Sequence, residues 1–166
     1  MPEQHTTLEQ AKASGAGPGG LDDGLVTVSE NGTGPYGQLV RAGHHVLAAD
    51  EPEPAGADSG PGPYDLLLAA LGACTSMTVR MYADRKGWPL EKVTVSLRHQ
   101  RAHAAGRAGR ENGHKRADRI AREIRLDGAL DADQRRRLME IAEKCPVHRT
   151  LTEGAVITTT PAPAQP

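Results

Sequence analysis

The segment Tyr64–Lys86, YDLLLAALGACTSMTVRMYADRK, constrains this chain more than any other stretch. Its length and apolar spacing predict one long helix. Pro63 suits the first helical turn, and Asp65 favours the positive end of the helix dipole. Gly87 followed by Pro89 supplies the stop. The first half is apolar almost all round, the pattern of a helix buried inside a domain. Leu67, Ala70, Leu71, Cys74, Met77, Thr78 and Met81 form one stripe, which puts Cys74 mid-helix on or near the buried face. Gly72 costs about 1 kcal/mol of helix propensity against alanine, so it points to close approach by another backbone.

The flanking sequence supplies strands. Leu25-Val-Thr-Val, Tyr36–Arg41 and His45–Ala49 read as three short strands, and DEPEPAGADSGPGP at 50–63 as a long loop, functional or mobile. Val93–Leu97 and Ile120–Leu126 alternate with period two; in the second, Ile120, Arg122, Ile124 and Leu126 share a face. Between them, 99–117 is basic, polar and glycine-bearing and reads as a solvated loop. Asp131 with Gln134 forms a capping box for a second helix reaching about Lys144. Its stripe of Leu138, Ile141, Ala142 and Cys145 places the second cysteine on its core side. Pro146 stops that helix, and Ala155–Thr160 reads as a final strand. Tyr82 and Trp88 read as packing at a helix end, and His148 as a local hydrogen-bonding residue. The order of elements points to α+β. Residues 1–22 and 161–166 are expected to be disordered tails around one domain, 23–160.

Composition narrows the function. The 166 residues carry a formal net charge of −1, and aromatics are 2% with no Phe. A general nucleic-acid binder is more basic, and stacking platforms for single strands need aromatics. The core must be aliphatic. No apolar signal segment opens the chain, and no uncharged run of eighteen apolar residues suggests a membrane span. The expected location is the cytoplasm, with no membrane or nucleic-acid partner.

Cys74 and Cys145 are the only cysteines, without CxxC or zinc spacing. Two readings stay open. Both are small core hydrophobes. Or they form a two-cysteine thiol peroxidase, in which one thiolate takes oxygen from a peroxide and the other condenses with the sulfenic acid. The second reading needs the two within disulfide reach and a cation to activate a thiol. Arg41, Arg80 and Arg149 are the arginine candidates by position, with His44 and His45 weaker ones.

The run GPGPYDLLLAALGACTSMTVRMYADRKGWPLEKV, with KCPVHRTL at 144–151 and AGHHVLAADEP at 42–52, resembles the OsmC/Ohr family: osmotically inducible protein C and the organic hydroperoxide resistance proteins. The resemblance implies an α+β fold, antiparallel strands around a long buried helix carrying Cys74, in an intertwined homodimer. It implies a bacterial enzyme of oxidative stress defence that reduces organic hydroperoxides without a cofactor, recharged by an external dithiol or lipoyl-type reductant. Cys74 matches the peroxidatic cysteine and Cys145 the resolving one. Where the family carries a catalytic glutamate this chain has Tyr64, so Asp65 or Glu51 is the substitute; Arg41 is the nearest match to the activating arginine. Leu67, Leu71, Met77 and Met81 are expected to line an apolar pocket, and the same residues would make a plain core. The alternative is a non-catalytic OsmC-like domain that binds an apolar ligand or a partner; a further one is an interaction role through the dimer and the basic loop.

Overall fold

A computed structural model describes residues 24–100 and 118–163. The described chain forms two compact units, one up to Leu67 and one from Leu68 onward.

The first unit carries a three-stranded antiparallel sheet in the order β1 (Val26–Glu30), β2 (Gln38–Ala42), β3 (His45–Ala49). Val28 pairs with Val40, and Val40 in turn with Leu47. Strands β2 and β3 are joined by Gly43 and His44; Gly43 has φ 58°, a left-handed value that a side chain disfavours. The following loop is held rather than loose. Asp50, 2% exposed, takes hydrogen bonds from the N–H groups of Glu51 (2.8 Å), Ala57 (3.1 Å) and Ser59 (3.2 Å), and from the Ser59 hydroxyl (2.9 Å). A carboxylate with four donors satisfies a proline-broken backbone that no ladder can satisfy.

Helix α1 (Pro63–Lys86) follows, as the stop at Gly87 predicts. The second unit continues with β4 (Leu90–Gln100), β5 (Arg119–Gly128), α2 (Ala132–Ala142) and α3 (Pro146–Glu153). Strands β4 and β5 pair antiparallel from Leu90 opposite Gly128 to Gln100 opposite Arg119. Val79 and Ala83 of α1, Leu90, Leu126, Leu130, Leu138 and Ala142 make the core, with Tyr82, Trp88, Val93 and Ile124 packed against it. It is aliphatic, as the absence of Phe requires, and Tyr82 meets Trp88 edge to face at 5.6 Å. The capping box at Asp131 and Gln134 is present.

Several expectations change. Helix α1 is not buried all round: its buried line is Leu71, Gly72, Thr75, Val79 and Ala83, while Met77 and Met81 are 64% and 71% exposed. An 18-residue window of α1 does reach membrane-like mean hydropathy, but part of its surface packs in this core. Beside Gly72 stands the Leu97 side chain, whose Cδ1 would lie 2.9 Å from an added Cβ, and not another backbone. Pro146 does not release the chain: it starts α3 at a position where a missing N–H costs nothing. Ala155–Thr160 is no strand; it runs without a ladder, and Val156 and Ile157 are 95% and 87% exposed. His99 and Gln100 belong to β4 rather than to the basic loop. The rest of that loop, 101–117, the expected tail at 1–22 and residues 164–166 of the expected tail at 161–166 lie outside the described residues.

Candidate active site

Both cysteines belong to the second unit, and the fold brings them together. Cys74 sits in the middle of α1, one position from the buried Thr75, and is half-buried. Cys145 is fully buried and is the N-cap residue of α3. This corrects its expected place at the end of the preceding helix. The first two peptide N–H groups of α3, those of Val147 and His148, lie beyond Pro146, which has none. Cys145 makes no side-chain cap hydrogen bond. The Val147 and His148 N–H groups at this helix start still favour negative charge on its sulfur.

The two thiols lie close enough for each to shift the other's ionisation, and their environments push the two in opposite directions. Burial raises the Cys74 thiol, and the neighbouring Cys145 raises it further, against smaller help from the Val147 N–H and the Thr78 hydroxyl. Thr78 spends its proton on the Cys74 carbonyl at 2.7 Å, which limits that help. Burial on its own raises Cys145 as well. The Cys74 thiol, the His148 N–H, the Thr75 hydroxyl and the Val147 N–H together outweigh it and bring Cys145 below the ordinary thiol value. Ionisation of the pair is therefore favoured at Cys145 over Cys74.

Behind Thr75 stands Arg122 of β5. Its side chain is only 10% exposed, and one guanidinium nitrogen donates to the Thr75 hydroxyl at 2.9 Å and to the Ala142 carbonyl at 3.4 Å. The other meets Glu143 Oε1 at 2.8 Å, while His148 Nε2 lies 3.3 Å from Glu143 Oε2. Arg122, Glu143 and His148 line an open cleft of about 390 Å³ with Leu71, Ile120 and Leu151. A second cleft, of about 440 Å³, lies beside the cysteines: Thr78 is one turn beyond Cys74 and Pro146 adjoins Cys145, with Met81, Tyr82, Arg85, Ile141 and Lys144 completing the wall.

Two of the three expected arginines, Arg80 and Arg149, make other bonds. Arg80 donates to the carbonyls of Leu90 and Glu91, and Arg149 pairs with Glu153 at 3.2 Å. Arg41 lies on β2 opposite Thr27 and Val46, exposed, in the first unit. Asp65 accepts from the Gly62 N–H at 3.1 Å in the first turn of α1, and Glu51 is exposed beside Asp50. The His44 and His45 rings meet at the hairpin turn, tilted by 42° with their centroids 3.9 Å apart. Of the residues expected to line an apolar pocket, Leu71 lines the first cleft and Met81 the second. Thr75, Arg122 and Glu143 were not among the expected site residues. The available signal was Arg122 itself, an arginine in the apolar register between Ile120 and Ile124. Among the described residues no group of three or more His, Cys, Asp or Glu is placed to hold a metal ion.

The model of the OsmC-like protein family matches residues 56–160, more than half of the chain and both cysteines. The chain belongs to the OsmC-like family. Solved structures share the fold. An OsmC-like protein from Mycoplasma pneumoniae is 19% identical with a TM-score of 0.63, over 80% of this chain and 89% of that one. An organic hydroperoxide resistance protein OsmC from Legionella pneumophila is 22% identical with a TM-score of 0.54, over 76% and 87%. An OsmC-like protein of unknown function from Vibrio cholerae is 12% identical with a TM-score of 0.57, over 78% and 94%. No curated protein matches the sequence. At these identities the OsmC-like likeness speaks for the α+β architecture and its antiparallel strands.

Proposed function

We propose that this OsmC-like protein is a thiol-dependent peroxidase that reduces organic hydroperoxides through a Cys74–Cys145 disulfide cycle. The observation that carries the reading is the closeness of the two free thiols, half-buried Cys74 on α1 and buried Cys145 at the start of α3, each of which shifts the other's ionisation. Cys74 is the more exposed sulfur and meets the peroxide. As its sulfur attacks the distal oxygen, its proton passes to the Cys145 thiolate. The O–O bond breaks, Cys74 becomes a sulfenic acid, and the leaving alkoxide takes the proton back from Cys145 as the alcohol departs. The Cys145 thiolate then attacks the sulfenic sulfur; hydroxide leaves, gains a solvent proton, and a disulfide remains. The peroxide gains two electrons and the thiol pair loses two. An external dithiol restores the pair by thiol–disulfide exchange.

The second cleft, apolar at Met81, Ile141 and Pro146 and cationic at Arg85 and Lys144, suits an alkyl or fatty-acyl hydroperoxide. Homodimer formation is part of the reading, supported by the exposed Met77, Met81, Val156 and Ile157. Arg41, with Asp65 or Glu51, stays a proposed activating pair on the family resemblance alone. The protein is proposed to work in the bacterial cytoplasm without metal, haem or flavin. The test is the mass of the reduced protein after one equivalent of an alkyl hydroperoxide: loss of two hydrogens supports the cycle.

A second reading rests on Tyr64 standing where the family carries glutamate. In it the domain binds an apolar ligand and does not turn over. Saturable fatty-acid binding with no loss of peroxide would favour it.

A further inference from the structure

The second cleft has a charge pattern that the thiols do not explain. Its α1 side is Thr78, Met81, Tyr82 and Arg85, spaced as one helical stripe running away from Cys74. Ile141, Lys144 and Pro146 supply the rest of the lining. The volume, about 440 Å³, lies within the range of about 300–1,000 Å³ that small-molecule sites occupy. Among the described residues neither of the two lining cations, Arg85 and Lys144, is paired with a carboxylate. Cations close by in sequence are paired: Arg80 with Asp84, Arg136 with Asp133 and Arg137 with Glu140. Glu140, one turn before Lys144, is thus held by Arg137, at 2.7 Å. Arg85 instead lies over the Tyr82 ring, its Cζ 5.3 Å from the centroid, where Lys86 and Arg137 also approach, at 5.9 and 5.6 Å. Three cations around one ring repel each other, and an anion beside them relieves that repulsion.

We propose that Arg85, aided by Lys144, is the specificity-determining residue of this cleft, reading the carboxylate of an amphiphile whose alkyl chain lies along Met81 and Ile141 toward Thr78. A guanidinium is a planar fork that holds a carboxylate by two parallel hydrogen bonds. Arg85 stands three turns beyond Cys74 on α1, about 16 Å of helix rise. The acid end is therefore gripped away from the sulfurs, and a peroxide group borne partway along the chain is what comes to Cys74. The cleft thus selects the free acid of a fatty-acyl hydroperoxide over a neutral ester of the same chain. The inference rests on the peroxidase reading for the reacting group, while the preference for an anion is a property of the cleft itself.

Trp88 is the single tryptophan of the chain and meets Tyr82 edge to face at 5.6 Å, so its emission reports occupancy of the cleft. The test titrates two probes into the reduced full-length protein at neutral pH: decanoate, below its micelle-forming concentration, and decanol, a neutral chain of the same length. Decanoate is expected to bind about fivefold more tightly, the contribution of one partly exposed charge pair. Added salt should weaken decanoate and leave decanol where it was. Arg85→Gln should bring decanoate to the decanol value, and Arg85→Lys should keep part of the preference, since a point charge replaces the fork. Arg85 is exposed, so both variants are expected to keep the fold, checked by circular dichroism. Equal affinity for the two probes in the parent protein, or a preference that survives Arg85→Gln, overturns the proposal. Failure of both probes to bind, confirmed by equilibrium dialysis, overturns it too; that is the result if a second copy seated on Met81 fills the cleft rather than roofing it. Neither probe carries a peroxide, so the thiol chemistry is scored separately. If a disulfide forms with an alkyl hydroperoxide while the probes bind alike, only this inference is lost; if decanoate is preferred through Arg85 and no disulfide forms, only the peroxidase reading is lost.

Discussion

The Cys74 thiol, in the middle of α1, and the Cys145 thiol, at the start of α3, lie close enough for each to shift the other's ionisation. The partnership is unequal. Cys145 gathers the donors and Cys74 is the one nearer to solvent. A thiol that must be both accessible and ionised is hard to build in an apolar helix, because burial disfavours the charge. Here the two requirements are divided between two sulfurs.

Thiol reactivity should therefore persist below the ordinary thiol range. The lowered group is acidic, so its charged form is present above its own midpoint and is lost as pH falls through it. Disulfide formation with a fixed alkyl hydroperoxide should rise through a midpoint below about 8.5, the value of a free cysteine. Stopped-flow rates between pH 5 and pH 9, about the range over which such a thiol ionises, read this directly. A rate that climbs only above the free-thiol value would contradict the assignment.

Asp50 makes a separate prediction for the first unit. Burial alone would raise its carboxyl, but the Ser59 N–H and hydroxyl and the Glu51 and Ala57 N–H groups hold it below the ordinary aspartate value. Its stabilisation is then full above the unfolded-state value and fades as pH falls through the folded one. Asp50→Asn should lower the thermal midpoint at neutral pH and lose that deficit in strong acid. Parallel melting curves of the two proteins across pH check the sign.

Leu138 is fully buried in the core of the second unit. Leu138→Ala should cost about 2–5 kcal/mol, the range for a leucine that leaves a partly relaxed cavity. Denaturant titration of both proteins gives the difference. A cost below about 1 kcal/mol would mean that the core around Val79, Leu126 and Leu138 is looser than its burial indicates.

How much of this was legible in the sequence depends on how local each signal is. Helix α1 and the Asp131–Gln134 capping box were readable because caps, stops and spacing act within a few residues. The buried face of α1 was displaced by about one position, from the Cys74–Met81 line to Thr75, Val79 and Ala83, because small residues on a helix carry little hydropathy signal. Pro146 read as a stop because a proline ends one helix and starts another with the same lost N–H. The β-branched run at 155–160 read as a strand, but propensity supplies no neighbouring ladder. The Arg122–Thr75 bond was invisible for a different reason: it joins residues that only the packing of β5 against α1 makes neighbours.

Homodimerisation can be checked apart from chemistry. Light scattering should give twice the 17.6 kDa chain mass, and Met81→Glu should lower it toward one chain, since a charge at that exposed methionine is costly to bury. A monomer at all concentrations would leave Met77 and Met81 without the proposed cover.

The most direct test of the central claim is the intact mass of the reduced protein after one equivalent of an alkyl hydroperoxide. The account predicts a rapid loss of about 2 Da with stoichiometric alcohol, the mark of an intramolecular Cys74–Cys145 disulfide, and no such loss in Cys74→Ser or Cys145→Ser. A slow gain of about 16 Da, or an unchanged mass, would contradict it.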